Sequence, residues 1–308
     1  MYGVMYHRIF MDEKSKKCFD GITFNEFKKQ INNFKEKHET ISIDESNFCD
    51  KEKMILTFDD GYKDHFEAAK ELSQNNMKGI FFISSNVFEH RILITNLIHY
   101  ILAYGKCSDI ISDIKEQIIF YKDKFKLKSY EEYHLNIMAE KTLDSLEKRI
   151  IKRLLQRDLP YRLRKIICEN LFANYVKKSF DDVFNELYLS DFEIREMKKM
   201  GMIFGNHTSN HVFLSRISQN EQKKEILDSL RVLQKNNIVD DEWYFAYPYG
   251  DYNKFTIEIL KMNNCLGAFT IQNNCLEASN KYELGRIDCV DFLIWKKGGQ
   301  NFGITKSY

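Results

Sequence analysis

Proline is almost missing from this chain: 308 residues contain only Pro160 and Pro248, and no Ser- or Gly-rich tract. A second domain is therefore expected as an insertion, not as a bead on a flexible linker. Long apolar runs are missing as well. Stretches such as IFFI at 80–83 fall far short of the ~20 residues that a membrane-spanning helix needs. The opening MYGVMYHRIF has no basic region leading into an apolar one, so no secretory signal is expected. Neither sign of charge is in excess: 46 Lys and Arg against 45 Asp and Glu leave +1, too little to gather nucleic acid. The seven cysteines form no CxxC pair, which points to free thiols in a reducing cytoplasm, not to disulfides or a thiolate zinc site. No glycine-rich P-loop is present.

What is present is alternation. Strand-like runs at 3–9, 54–58, 79–84, 202–206, 243–247 and 266–271 are separated by amphipathic stretches. Phe66, Ala69 and Leu72 recur at helical spacing. Ser190 with Glu193, and Ser218 with Glu221, form capping boxes; Gly201 stops the first of these helices, and another runs from Asn253 to Asn264. Such alternation implies βαβ units and a mainly parallel sheet or barrel. Residues 91–189 break the rhythm and read as a helical insertion between 1–90 and 190–308. Within it, 147–165 carries eight basic residues against two acidic. Its apolar Ile150, Ile151, Leu154 and Leu155 could face the core, a membrane surface or a partner.

The chemistry is expected at strand ends. ILTFDDGY (55–62) puts Asp59 and Asp60 side by side after a strand, where like charges repel unless something positive holds them. GNHTSNH (205–211) follows another strand, and one helical turn can aim His207 and His211 at a single point. Two imidazoles and one carboxylate make a common zinc set with a position open for water. Asp60 would be the carboxylate, leaving Asp59 as a base beside an acidified water. Two carboxylates holding magnesium for phosphoryl transfer is the other metal reading; it leaves the histidines unused.

Together, TFDDG (57–61), HTSNH (207–211) and FAYPYG (245–250) resemble the first three motifs of the polysaccharide deacetylase superfamily, the NodB-homology or family-4 carbohydrate esterases. The resemblance implies an α/β fold, a distorted (β/α)7 barrel with the helical insertion outside it. It also implies hydrolysis of an N-acetyl group on an amino sugar or glycan precursor, with one divalent ion: zinc first, cobalt or nickel next. Asp59 resembles the base, and Asp60, His207 and His211 the metal ligands. Thr208 would steady the histidine loop. Tyr249 would supply the oxyanion-hole N–H, and Pro248 would shape the pocket wall. The arginine that usually pairs with the base is replaced by Ala246, and no histidine follows His211. His7, ending the first strand, resembles the general acid of permuted members. In GRID (285–288), after a short strand YEL, Arg286 is the candidate to pair with Asp59 or bind substrate, and Asp288 could orient a neighbour. Tyr62 and Tyr247 could line the sugar site, whereas His38, His65, His90, His99 and His134 read as ordinary residues.

The expected enzyme is a cytoplasmic deacetylase, with peripheral membrane contact through 147–165 and no nucleic-acid partner. A deformylase or other amidase on a lipid- or nucleotide-linked sugar is the alternative within enzymes. A glycan-binding relic, suggested by Ala246, is the alternative outside them.

Overall fold

A computed structural model describes residues 2–13, 19–37, 39–40, 53–138, 144–272 and 281–291. Ten strands are present among them: β1 (Tyr2–Tyr6), β2 (Arg8–Phe10), β3 (Gly21–Thr23), β4 (Glu39–Thr40), β5 (Lys53–Asp59), β6 (Ile80–Ile83), β7 (Ile203–Asn206), β8 (Trp243–Ala246), β9 (Cys265–Phe269) and β10 (Ile287–Asp288). The main sheet runs β10-β1-β5-β6-β7-β8-β9, with β4 also pairing with β5; β2 and β3 form a separate pair. Every pairing between these strands is parallel.

A seam closes this sheet into the distorted (β/α)7 barrel. Leu284 bridges Phe269, and the Arg286 N–H donates to the Gln272 carbonyl at 2.9 Å. The chain then enters β10, whose Ile287 and Asp288 pair with Val4 and Met5 of β1. Segment 284–288 thus joins β9 to β1. The expected short strand YEL is only a bridge at Leu284; the ladder resumes after Arg286, not before it.

Alternation along β5 sorts its side chains. Ile55 faces a core with Ile80, Phe82, Tyr244, Ala246, Phe269 and Leu284. Phe58 points the other way, stacking on Tyr6 at 5.0 Å and Phe81 at 4.4 Å. Removing a ring so fully buried costs about 3–5 kcal/mol. Gly205 has no room for a side chain: a Cβ would meet the Phe82 ring at 2.6 Å and the Tyr244 carbonyl at 2.7 Å.

Sequence signals set the helix ends. Both serine capping boxes form, heading Asp191–Lys199 and Gln219–Lys235, and Asn253 caps Lys254–Met262. In the helix His65–Gln74 the buried face is His65, Ala68, Ala69 and Leu72; Phe66 lies at its margin. The expected single strand 3–9 is broken at His7. There the chain leaves β5 for β3, because Arg8 turns to an ion pair with Asp64 at 2.6 Å.

The described residues of Met1–Arg91 and Asp181–Phe302 form one compact unit, and those of Ile92–Phe180 form another. The second unit is helical. Ile150, Ile151, Leu154 and Leu155 are buried in its core. The basic residues around them are largely engaged: Arg153 and Arg157 both pair with Asp158, at 2.8 and 3.1 Å, and Lys152 pairs with Asp144. No helix among the described residues is long and apolar enough to cross a membrane. Cys107, Cys168, Cys265 and Cys289 are free thiols; Cys18, Cys49, Cys275 and His38 lie outside the described residues.

Candidate active site

The carboxyl ends of β1, β5, β7 and β8 bring the expected residues together. Register explains why. Tyr6 pairs with Phe58, so His7 comes next to Asp59; Asn206 pairs with Phe245, so His207 comes next to Ala246. The DDG turn is held from outside: Leu189 N–H donates to the Gly61 carbonyl at 3.0 Å, and Lys63 N–H to Leu187 at 2.7 Å.

Asp60 Oδ1 lies 3.5 Å from His207 Nε2 and 3.4 Å from His211 Nε2. That oxygen is buried and has no hydrogen-bond partner. An orphaned carboxylate oxygen is costly, and the spacing suits a cation better than a hydrogen bond. Ligands bonded at ~2.0–2.1 Å to one tetrahedral ion lie roughly 3.3–3.4 Å apart. The three residues therefore fit a divalent cation.

The surroundings prepare them for it. His207 Nδ1–H donates to the Ala246 carbonyl at 2.7 Å, which leaves Nε2 as the free lone pair. Tyr62 hydrogen-bonds the Asp60 carboxylate. Burial pushes both imidazoles down to about 4, against the pull of Asp59, so both are neutral at pH 7. The histidine loop is cross-tied: His211 N–H donates to Thr208 Oγ1 at 3.1 Å, and Ser84 Oγ–H to the His207 carbonyl at 2.8 Å. Asp60, Thr208, His211 and Tyr249 all have positive φ, at 76°, 66°, 50° and 58°. Backbone strain concentrated in this way marks functional sites.

Arg286 supplies the arginine that position 246 lacks. Its guanidinium grips both Asp59 oxygens, Nη1 to Oδ1 at 2.7 Å and Nη2 to Oδ2 at 2.8 Å. Nη1 also donates to Thr57 Oγ1, and Nε to the Thr270 carbonyl at 3.0 Å. Burial alone would raise the Asp59 carboxyl, but Arg286, with His207, holds it well below the usual carboxylate range. Ala246 is wholly buried in the apolar cluster with Phe82 and Phe269, where an unpaired long cation would be costly.

The remaining expected residues divide. His7 contributes to the electrostatics of both Asp59 and His211, so it shares their pocket. Pro248 is buried, and the Tyr249 ring meets His211 edge-on at 4.5 Å while stacking on Phe213 at 4.0 Å. Tyr247 does not line the site; it is buried in the barrel wall with its hydroxyl on the Tyr282 carbonyl at 2.9 Å. Asp288 accepts from the Val290 N–H at 2.9 Å.

Sequence reasoning missed Glu225, which holds the Asn210 N–H and side-chain amide at 2.9 and 2.6 Å, and passed over His65. Glu225 is 15 residues from Asn210 on a different element, so no local spacing announces it.

Residues 174–265 match the polysaccharide deacetylase family model. Among solved structures, the chain is similar to the Streptococcus pyogenes deacetylase PplD in complex with acetate, at 20% identity and TM-score 0.57, over 96% of each chain. It is similar to IcaB from Ammonifex degensii at 15% identity and TM-score 0.55, over 96% of this chain and 95% of that one. A polysaccharide deacetylase from Bacillus cereus follows at 14% and 0.53, over 94% of this chain and 64% of that one. No curated protein matches the chain in sequence. At these identities the solved structures speak for the fold, and the family match takes in both histidines and FAYPYG. Residues 174–265 thus resemble a polysaccharide deacetylase domain, and the barrel that carries them has the fold of these solved deacetylase structures.

Proposed function

We propose that the chain is a metal-dependent carbohydrate N-deacetylase, hydrolysing the N-acetyl group of an amino sugar to acetate and a free amine. One observation carries the reading. A buried carboxylate, Asp59, is held ionised beside three ligand atoms that fit one cation.

Asp60, His207 and His211 would hold the ion, zinc being the first candidate for two imidazoles and a carboxylate. When bound, it supplies Lewis-acid activation of water and of the acyl oxygen. The chain's own groups do the rest. Asp59 takes the proton of the attacking water, because Arg286 occupies one lone pair of each carboxylate oxygen and leaves others open. The Tyr249 backbone N–H, set by its positive φ, serves the developing oxyanion. His7 gives a proton to the leaving nitrogen as the C–N bond breaks.

The test pairs metal content with acetate release from N-acetylglucosamine oligomers. Asp59→Ala should keep the ion and lose turnover; His207→Ala should lose both. Wild-type turnover by Asp59→Ala would remove Asp59 from the mechanism. Release of formate from N-formyl sugars, without acetate from N-acetyl ones, would make the chain a different amidase.

A further inference from the structure

We propose that His65 is a positioning residue for His7: its ring N–H holds the His7 carbonyl and so aims the His7 imidazole at the reaction centre. This rests on the reading of His7 as the acid. His65 opens the helix that follows the DDG turn, and its side chain is completely buried. Nε2 lies 2.6 Å from the His7 carbonyl oxygen. A carbonyl oxygen only accepts, so Nε2 carries the hydrogen. Burial lowers the pKa of His65, which favours the neutral ring, and a neutral ring has this one N–H to give.

The opposite nitrogen, Nδ1, is buried with no hydrogen-bond partner. A phenylalanine would fill the same aromatic box, between Phe58 at 5.5 Å, Tyr62 at 5.8 Å and Phe81 at 5.9 Å, without that penalty. What histidine adds is the bond to His7. The bond falls where a tether is needed, because β1 ends at Tyr6 and β2 begins at Arg8 on another sheet. A second tie lies beside it, from Arg8 Nε to Asp64 Oδ2 at 2.6 Å. Two successive residues of the N-terminal segment are thus fastened to two successive residues after the metal turn. His7 is thereby indexed to Asp59 and Asp60.

A general acid matters most when the leaving group is poor, which gives a readout that general loosening of the fold would not move. The zinc-loaded wild type, His7→Ala, His65→Phe and His65→Gln are compared on aryl acetates running from 4-nitrophenyl acetate to phenyl acetate. His65→Phe should lose roughly tenfold more kcat on phenyl acetate than on 4-nitrophenyl acetate, with KM little changed. His7→Ala should show the same trend more steeply. His65→Gln, which can still donate to His7, should recover part of the loss. A flat profile for His7→Ala would overturn the acid assignment itself. A steep His7→Ala profile with His65→Phe parallel to wild type would overturn only the role of His65. Should His65→Phe not fold, two-bond 1H–15N NMR of the wild type decides: a Nε2–H tautomer sustains the proposal, and a Nδ1–H tautomer overturns it.

Discussion

Arg286 and Asp59 form a two-point ion pair across the seam of the barrel, 227 residues apart in sequence and both almost fully buried. Removing one partner of a buried pair leaves the other charge uncompensated, at a cost of about 3–5 kcal/mol. Arg286→Met should therefore lower stability by that order and turnover by about 100-fold or more, with metal content unchanged. The double variant Asp59→Asn/Arg286→Met should be more stable than Arg286→Met alone. Denaturant titration with elemental analysis checks both; loss of the ion in Arg286→Met would assign the arginine to the metal site.

Metal and folding should be linked. A ligand that binds only the folded chain adds about 2.7 kcal/mol at a concentration 100 times its Kd. Zinc should raise the melting temperature of the wild type and leave His207→Ala/His211→Ala unmoved, and a chelator should return the wild type to its metal-free value. Equal shifts in both proteins would place the ion elsewhere.

Thr208 is β-branched at φ 66°, and its hydroxyl accepts the His211 N–H. Thr208→Val keeps the shape and removes the acceptor, so metal affinity should fall about 10- to 100-fold. Thr208→Gly relieves the backbone and also lacks the acceptor. Its metal-free form should be more stable than that of Thr208→Val, by chemical denaturation. The reverse order would mean the loop stores no strain.

His65 also predicts a pH effect. Its pKa is lowered in the folded chain, chiefly by burial, so the unfolded chain binds its proton more readily. Stability from this group is complete above the unfolded value of ~6.5 and is lost as pH falls through the folded one. From pH 7.5 to pH 5 the wild type should lose stability relative to His65→Phe, by up to ~1.4 kcal/mol per unit. A difference independent of pH would show that His65 titrates normally.

In the helical unit, Asp158 is the carboxylate shared by Arg153 and Arg157. These side chains are only partly buried, so the effect is discounted: Asp158→Asn should cost about 1–2 kcal/mol. Limited proteolysis should then cut within 92–180 before the barrel. First cleavage in the barrel would show that Asp158 does not stabilise the helical unit.

The barrel strands and capped helices were legible because their signals are local: alternation, a serine three residues before a glutamate, a glycine at a helix end. Asp60, His207 and His211 were legible because strand ends in a parallel fold point to one rim. The placement of Arg286 was only half legible. GRID shows a cation, but nothing nearby says that it lies on the closing seam, since YEL makes a bridge rather than a strand. His65 was illegible for a related reason. Its partner is a backbone carbonyl 58 residues away, and carbonyls leave no mark in a sequence.

The seam has a consequence for the chain as it is made. Asp59, Asp60, His207 and His211 have all left the ribosome before the residues that shut the barrel. Arg286 arrives only with closure, because it lies on the segment that joins β9 to β1. A nascent or truncated chain ending short of that segment holds the groups that fit a cation without the one that fixes Asp59. On the proposed function, hydrolysis would be withheld until synthesis has passed the seam, and an unfinished copy would leave the acetylated sugars around it untouched.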